Sequence, residues 1–200
     1  MGRTVARGSA EALRDGDIRS PLQAWLERTY GYNGNSGIIH ELEIPKPSGR
    51  VDLAVINGEM VGFEIKSDAD TLFRLKRQSA SFCAIFNKMY FVTTKKHLDE
   101  AKSKIPYWWG LLIAYKKNGS VLFKIVRKSK DNNTISDESL ISLLSKEELV
   151  LFITSNGTIG KMRRLRKSAL QNYIIEKYDS LSISEGVKRI IRMRRDAILV

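Results

Sequence analysis

The chain is poor in the residues that staple small folds or hold soft metals. Its 200 residues include one cysteine, two histidines and four prolines. A single cysteine excludes an intrachain disulfide framework. Cys83 lies in the apolar run Phe82-Cys83-Ala84-Ile85-Phe86 and reads as a buried structural thiol rather than a nucleophile. His40 and His97 lack the partner spacing of a zinc site and receive no role. No run is long and apolar enough to span a bilayer. The start, Met1-Gly2-Arg3-Thr4-Val5-Ala6, carries neither the apolar stretch of a signal peptide nor the Ser/Thr of a myristoylation motif, so a cytoplasmic protein is the expectation. Internal repeats and low-complexity tracts are also absent.

What is present is a 42% hydrophobic chain with a net charge of +12. That is enough for one sizeable core, with at most a small appendage. The charge favours a polyanionic partner, nucleic acid first and an acidic membrane surface second. Residues 1–20 read as a flexible N-terminal segment, ended where Pro21 opens a short helix carrying Leu22, Trp25 and Leu26. Strand-like runs follow at Ile38–Ile44, Val51–Ile56 and Met60–Ser67. A helix over Thr71–Phe86, capped by Asp68 or Asp70, comes next. Then come strand-like Met89–Thr93, a helix through His97–Lys104, and strand-like Leu111–Tyr115 turning at Asn118-Gly119 into Val121–Val126. Ser145-Lys146-Glu147-Glu148 reads as a capping box. This β-α-β-α-β order predicts an α/β fold, a central mixed sheet flanked by helices.

The chemistry sits in residues 51–66, two alternating strands about Asn57-Gly58. Val51, Leu53, Val55, Val61, Phe63 and Ile65 are apolar, and they share one face only if odd residues oppose odd ones. A three-residue loop, Ile56-Asn57-Gly58, with Gly58 at positive φ and Val55 opposite Glu59, satisfies this. It gathers Asp52, Glu64 and Lys66 on the other face. Phosphodiester hydrolysis builds negative charge, which a carboxylate-bound hard cation neutralises. Asp52 and Glu64 are the candidate ligands, with the Ile65 carbonyl a third. Lys66 is placed to orient or help deprotonate water and to stabilise the phosphoryl oxygens. The plain alternative is an exposed, salt-bridged hairpin face.

Gly49-Arg50-Val51-Asp52-Leu53-Ala54-Val55-Ile56-Asn57-Gly58, Gly62-Phe63-Glu64-Ile65-Lys66-Ser67-Asp68-Ala69-Asp70-Thr71-Leu72, Arg74-Leu75, Gln78 and Ile105-Pro106-Tyr107-Trp108-Trp109-Gly110 together resemble a bacterial and phage family of the PD-(D/E)XK nuclease superfamily. The likeness extends over about residues 20 to 155. It implies a restriction-endonuclease-like core, Mg²⁺ or Mn²⁺ as cofactor, metal binding by Asp52 and Glu64, and catalysis by Lys66. Family members also place an acid at Glu41, an additional metal ligand or, equally, a salt-bridge partner of Arg50 or Lys66. Gln78-Ser79-Ala80-Ser81-Phe82 is similar to the Gln-x-x-x-Tyr helix of exonuclease-like members, with Phe82 replacing the tyrosine, and the resemblance brings Gln78 into the catalytic set.

On the following helix Arg74, Gln78 and Phe82 fall on nearly one face, with Arg74 a candidate phosphate contact. Trp108 and Trp109 read as sheet-end packing rather than base-stacking groups. The last forty residues hold eleven Lys/Arg against four Asp/Glu. Arg163, Arg164, Arg166 and Lys167, then Arg192 and Arg195, lie on two amphipathic helices that could dock on the body and contact phosphates, as could Arg50 beside the hairpin. The expectation is a nuclease-like domain over 21–155 with a basic helical extension over 156–200. It would hydrolyse nucleic acid, DNA rather than RNA, without a membrane partner, in phage defence or mobile-element biology. Left open are a homodimer, a catalytically silent binding module or subunit of a larger complex, and a membrane-surface role for the tail.

Overall fold

The computed structural model describes residues 12–31, 37–155 and 161–196. One mixed sheet of six strands runs β1 (Gly37–Ile44), β2 (Gly49–Asn57), β3 (Glu59–Lys66), β4 (Lys88–Thr93), β5 (Gly110–Lys117) and β6 (Ser120–Arg127), with spatial order equal to chain order. β3, β4 and β5 are mutually parallel, and the outer pairings β1·β2, β2·β3 and β5·β6 are antiparallel. Parallel neighbours need crossovers, and these are made by α2 (Leu75–Cys83) and by α3 (Leu98–Lys104). The expected α/β architecture of a mixed sheet flanked by helices is the one observed.

Local signals explain much of this. Asn118 and Gly119 adopt φ of 51° and 78°, so Lys117 pairs directly with Ser120 across a two-residue turn. The Glu148 carboxylate accepts from the Ser145 N–H at 2.7 Å while the Ser145 hydroxyl accepts from the Glu148 N–H at 3.2 Å, which is the capping box that opens α5 (Lys146–Ser155).

Three expectations are corrected. The first helix, α1 (Asp15–Tyr30), starts six residues before Pro21 and holds that proline inside it. An interior proline costs about 3 kcal/mol, which is why the sequence points to a helix start there. Burial of Ile18, Leu22 and Leu26, acidic Asp15 and Asp17 in the first turn, and the tertiary ion pairs of Arg19 hold the extra turn in place. Residues 12–20 of the segment read as flexible are therefore described and largely helical, and residues 1–11 lie outside the described ones.

Second, α2 is shorter than Thr71–Phe86, because neither candidate cap caps it. Asp68 accepts from the Leu13 N–H and the Thr94 hydroxyl, and Asp70 accepts from Ser67. Third, the hairpin keeps odd opposite odd, with Gly58 at φ 71°, but Val55 pairs with Val61 rather than Glu59 and the turn is tighter.

Both faces of the sheet are covered. α1 packs on one face over Leu53, Val55, Val61, Phe63 and Ile65. The other face, with Ala54, Ile56, Met60 and Met89, packs against α2 and the C-terminal helices. These are α4 (Asp137–Ser142), α5, α6 (Lys167–Lys177) and α7 (Ser180–Asp196). Ile183, Val187, Ile190 and Ile191 of α7 join the same core as Phe82 and Trp109, so the basic extension is built into the domain. Residues 156–160 and 197–200 lie outside the described ones. Among the described residues no helix is long and apolar enough to cross a membrane.

The α5–α7 seam is tight at Gly186, where an added Cβ would meet the Phe152 ring at 2.2 Å. Gly186→Ala is expected to lower stability by about 1–3 kcal/mol through overpacking. Urea unfolding followed by circular dichroism measures it, and an unchanged midpoint would mean that α7 does not seat on Phe152.

Candidate active site

Glu64 and Lys66 end β3, so they stand at the carboxyl ends of the parallel strands, next to the turn that leads to α2. Strand alternation aims both toward the α2 face. Glu64 is 1% exposed. Its Oε1 accepts from Lys66 Nζ at 2.5 Å and from Gln78 Nε2 of α2 at 2.9 Å. Its Oε2, and the Oε1 of Gln78, are buried with no hydrogen-bond partner. An exposed salt-bridged face does not look like this: a carboxylate has been taken out of water, with one oxygen left bare.

Asp52 is delivered by a paired irregularity in β1 and β2. On β2, Val51 belongs to the α2-side core and Leu53 to the α1-side core although both are odd, so the strand changes phase at Asp52. On β1, Leu42 and Ile44 are buried on the same side as Ile39, so phase changes there too. The residue between them, Glu41, has φ 51°, a left-handed conformation costly for a non-glycine residue. Leu42 pairs with Val51 and His40 with Leu53, which sets Glu41 opposite Asp52. The expected six-residue apolar face is thus split, with Val51 on one side and the other five on the other. At the kink the Asp52 Oδ2 accepts from the Ile65 N–H of β3 at 2.7 Å, a bond that ties the carboxylate to the neighbouring strand.

Arg19 of α1 completes the site and was not foreseen. Its guanidinium donates to Asp52 Oδ1 at 2.9 Å and to the Asp52 carbonyl at 3.2 Å, and pairs with Glu41 at 2.8 Å and with Asp15 at 2.9 Å. The only sequence trace of it is the Asp15/Arg19 spacing of four, common on helices. Glu41 is also paired with Arg50 at 2.6 Å. Glu41 is thus held in ion pairs, and among the described residues no three His, Cys, Asp or Glu side chains converge into a metal-holding group. The structure does not bring Glu41 together with Asp52 and Glu64 as a third ligand. Ile65 contributes its N–H to Asp52, and its side chain is buried on the α1 face.

The charges are mutually tuned. Burial, then the nearby Asp52, pushes the Glu64 carboxyl up to about 7 against the pull of Lys66 and Gln78. Burial also raises Asp52, opposed by the Ile65 N–H, Lys66 and Arg19. Burial works to lower Lys66, but Glu64 and Asp52 outweigh it and the ammonium is held more tightly than usual. Each acid has one cationic partner, Lys66 on Glu64 and Arg19 on Asp52, and Glu64 keeps a bare buried oxygen, so the donors are of the oxygen type that a hard divalent cation takes.

The candidate phosphate contacts are placed differently. Arg74 is exposed at the mouth of α2, and Arg50 is exposed beyond its bond to Glu41. Arg163, Arg164, Arg166 and Lys167 are exposed, Arg163 lying beside Lys146, Glu147 and Thr154 of α5. Arg192 is half-buried, and the Arg195 side chain lies outside the described ones. α7 docks at the turn end of the hairpin, where buried Lys188 donates to the Gly58 carbonyl at 2.6 Å. Glu64 lies six residues along the strand from Gly58, roughly 20 Å away. Arg194 is spent on Glu148, with both contacts at 2.6 Å. Trp109 and Phe82 are core residues with rings 5.8 Å apart, as expected for Trp109, whereas Cys83 is half-buried rather than buried.

A family model described as Bacteriophage P4 protein cII matches residues 9–197, and the chain belongs to that family. Protein cII of Enterobacteria phage P4 is 34% identical over 148 residues, covering 74% of this chain and 56% of that protein. The chain therefore spans little more than half the length of that relative. Among solved structures, the SPO1766 protein of unknown function from Silicibacter pomeroyi is similar with a TM-score of 0.45 and 18% identity, covering 74% of this chain and 97% of that one.

Because Glu64 is raised from 4.5 to about 7, the folded chain binds the extra proton between those values. Its contribution to stability is complete below the lower value and is lost as pH rises through the upper one. In EDTA, Glu64→Gln is expected to be more stable than wild type at pH 8, by on the order of 2 kcal/mol, and equal to it near pH 4.5. Urea titrations across this range check it. A variant whose stability falls with pH as steeply as wild type would assign the titration to another group.

Proposed function

We propose that this chain is a divalent-metal-dependent nuclease of the PD-(D/E)XK kind, its mixed sheet serving as a restriction-endonuclease-like core. The observation that carries the reading is Glu64: 1% exposed, bridged by Lys66 and Gln78 on one oxygen and bare on the other. A buried, incompletely satisfied carboxylate costs stability, and such strain is retained where it does work.

Asp52 and Glu64 would hold Mg²⁺ or Mn²⁺, which supplies charge neutralisation for a phosphodiester under attack by water. The side chains divide the remaining work. Lys66, its ammonium held by Glu64, would orient water and donate to the phosphoryl oxygens. Gln78 holds Glu64 in place through its amide N–H and offers its bare carbonyl oxygen to a water or hydroxyl. Arg19 offsets the charge of Asp52 and bonds its backbone carbonyl, which orients the carboxylate at the kink. Exposed Arg74 and Arg50 are positioned at the same end of the sheet to meet phosphates, whereas exposed Arg163, Arg164, Arg166 and Lys167 would contact the backbone away from the acids. DNA is favoured over RNA as substrate.

Purified protein incubated with plasmid, linear duplex, single-stranded DNA and RNA tests this directly. Cleavage is expected with Mn²⁺ or Mg²⁺ and not with EDTA. Lys66→Ala is expected to lose roughly a hundredfold or more in kcat, the loss typical of removing one donor to a developing anion. Survival of all four substrates, bound in a salt-sensitive way, would instead identify a silent binding module.

A further inference from the structure

Phe73 is the most exposed large hydrophobic residue described, at 89%. Its exposure is imposed by the fold. It sits at the top of the turn from Leu72 to Leu75, closed by a Leu75 N–H to Leu72 carbonyl bond of 3.3 Å, and both leucines are buried. With the turn pinned at each end, the ring is held away from the core, and among the described residues no ring or cation stacks on it. Tyr107, the next most exposed aromatic at 77%, differs: Lys130 covers it at 5.7 Å, and it lies before β5, at the opposite end of the parallel strands.

The turn leads straight into the site. Phe73 precedes by five residues Gln78, the partner of Glu64, which at helical rise is roughly 8 Å along the chain. The backbone N–H of Gln78 donates to the Arg74 carbonyl, so Gln78 stands one helical turn beyond the residue that follows Phe73. Around it the surface is cationic: Arg74 and Arg77 are exposed beside the ring, and Lys95 and Lys96 are exposed on the turn that follows the adjoining parallel strand β4. α2 contains no acidic residue. The acids nearest this rim, Asp68 and Asp70, are occupied by Thr94, the Leu13 N–H and Ser67. An apolar ring framed by cations, at the lip of an anion-processing site, matches a nucleobase flanked by its phosphates.

We propose that Phe73 is a stacking platform for an unpaired nucleobase beside the scissile phosphate, so that the site takes single-stranded nucleic acid or a strand end rather than intact duplex. Stacking needs a free base face, which a paired and stacked duplex base does not offer. The inference rests on the nuclease reading for the site's polarity, but its test does not depend on cleavage.

Binding is measured by fluorescence anisotropy in EDTA, with single-stranded DNA, single-stranded RNA and blunt duplex of equal length. Phe73→Ala is expected to lose roughly tenfold or more in affinity for single strands and to leave duplex affinity within about twofold, the loss being that of one base–aromatic stack. Phe73→Trp is expected to retain single-strand affinity, and 2-aminopurine in the bound strand is quenched by wild type and not by Phe73→Ala. Because the ring is exposed, neither variant should shift the unfolding midpoint. Unchanged single-strand affinity in Phe73→Ala, or equal loss for strand and duplex, overturns the platform. Single-strand preference without metal-dependent cleavage would keep the platform and sink the nuclease. Cleavage by wild type with an indifferent Phe73→Ala would do the reverse.

Discussion

A carboxylate forced into the apolar side of a sheet is the constraint around which this molecule is arranged. Glu64 stands on the strand face that carries Ala54, Ile56, Met60 and Gly62 toward α2, and water has been removed from it. Burying a charge costs several kcal/mol unless cations and hydrogen bonds are brought to it. The chain responds with Lys66 two residues along the same strand and Gln78 one helix away. That response is incomplete: the second carboxylate oxygen of Glu64 stays buried with no hydrogen-bond partner.

The second acid shows how backbone irregularity is put to use. A regular β2 would direct Asp52 by simple alternation. Instead β1 and β2 change phase together at the Glu41/Asp52 pair, at the expense of a left-handed Glu41. The kink frees the Asp52 side chain to accept an N–H from β3 and to meet Arg19 from α1. Arg19 links α1, β1 and β2 through one guanidinium, a planar fork suited to several oxygen partners at once. The first turn of α1, which a sequence reading leaves out because it starts the helix at Pro21, therefore supplies the arginine that pairs with Asp52.

The distribution of positive charge is equally informative. More than half of the net charge lies in the last forty residues, yet the basic helices that carry it are structural in large part. Lys188 closes on the hairpin turn and Arg194 clamps the capped start of α5. The cations in contact with the acids are instead Lys66 on Glu64 and Arg19 on Asp52, while Arg50, Arg74, Arg77, Lys95 and Lys96 are exposed on the segments at the carboxyl ends of the parallel strands. Net charge alone thus does not tell which cations are committed to holding the fold together and which are exposed.

What the sequence determined by itself was whatever depends on neighbours along the chain. The alternation of β3 and of β2 beyond Asp52, the Asn118-Gly119 turn, the capping box at Ser145 and the spacing of Glu64 and Lys66 on one strand face follow from periods of two or from bonds three residues apart. Gln78 was legible only through resemblance, since nothing local ties a helix glutamine to a strand carboxylate fourteen residues earlier. Tertiary structure decided the rest. Arg19 and Asp52 are separated by 33 residues, and their contact exists only once α1 has packed on the sheet. The start of α1, the phase change at Asp52, the commitment of Glu41 to arginines and the isolation of the Phe73 ring depend on which surfaces meet. In each case a long-range burial or ion pair outweighs a local preference of a few kcal/mol, and no pattern along the chain records that balance.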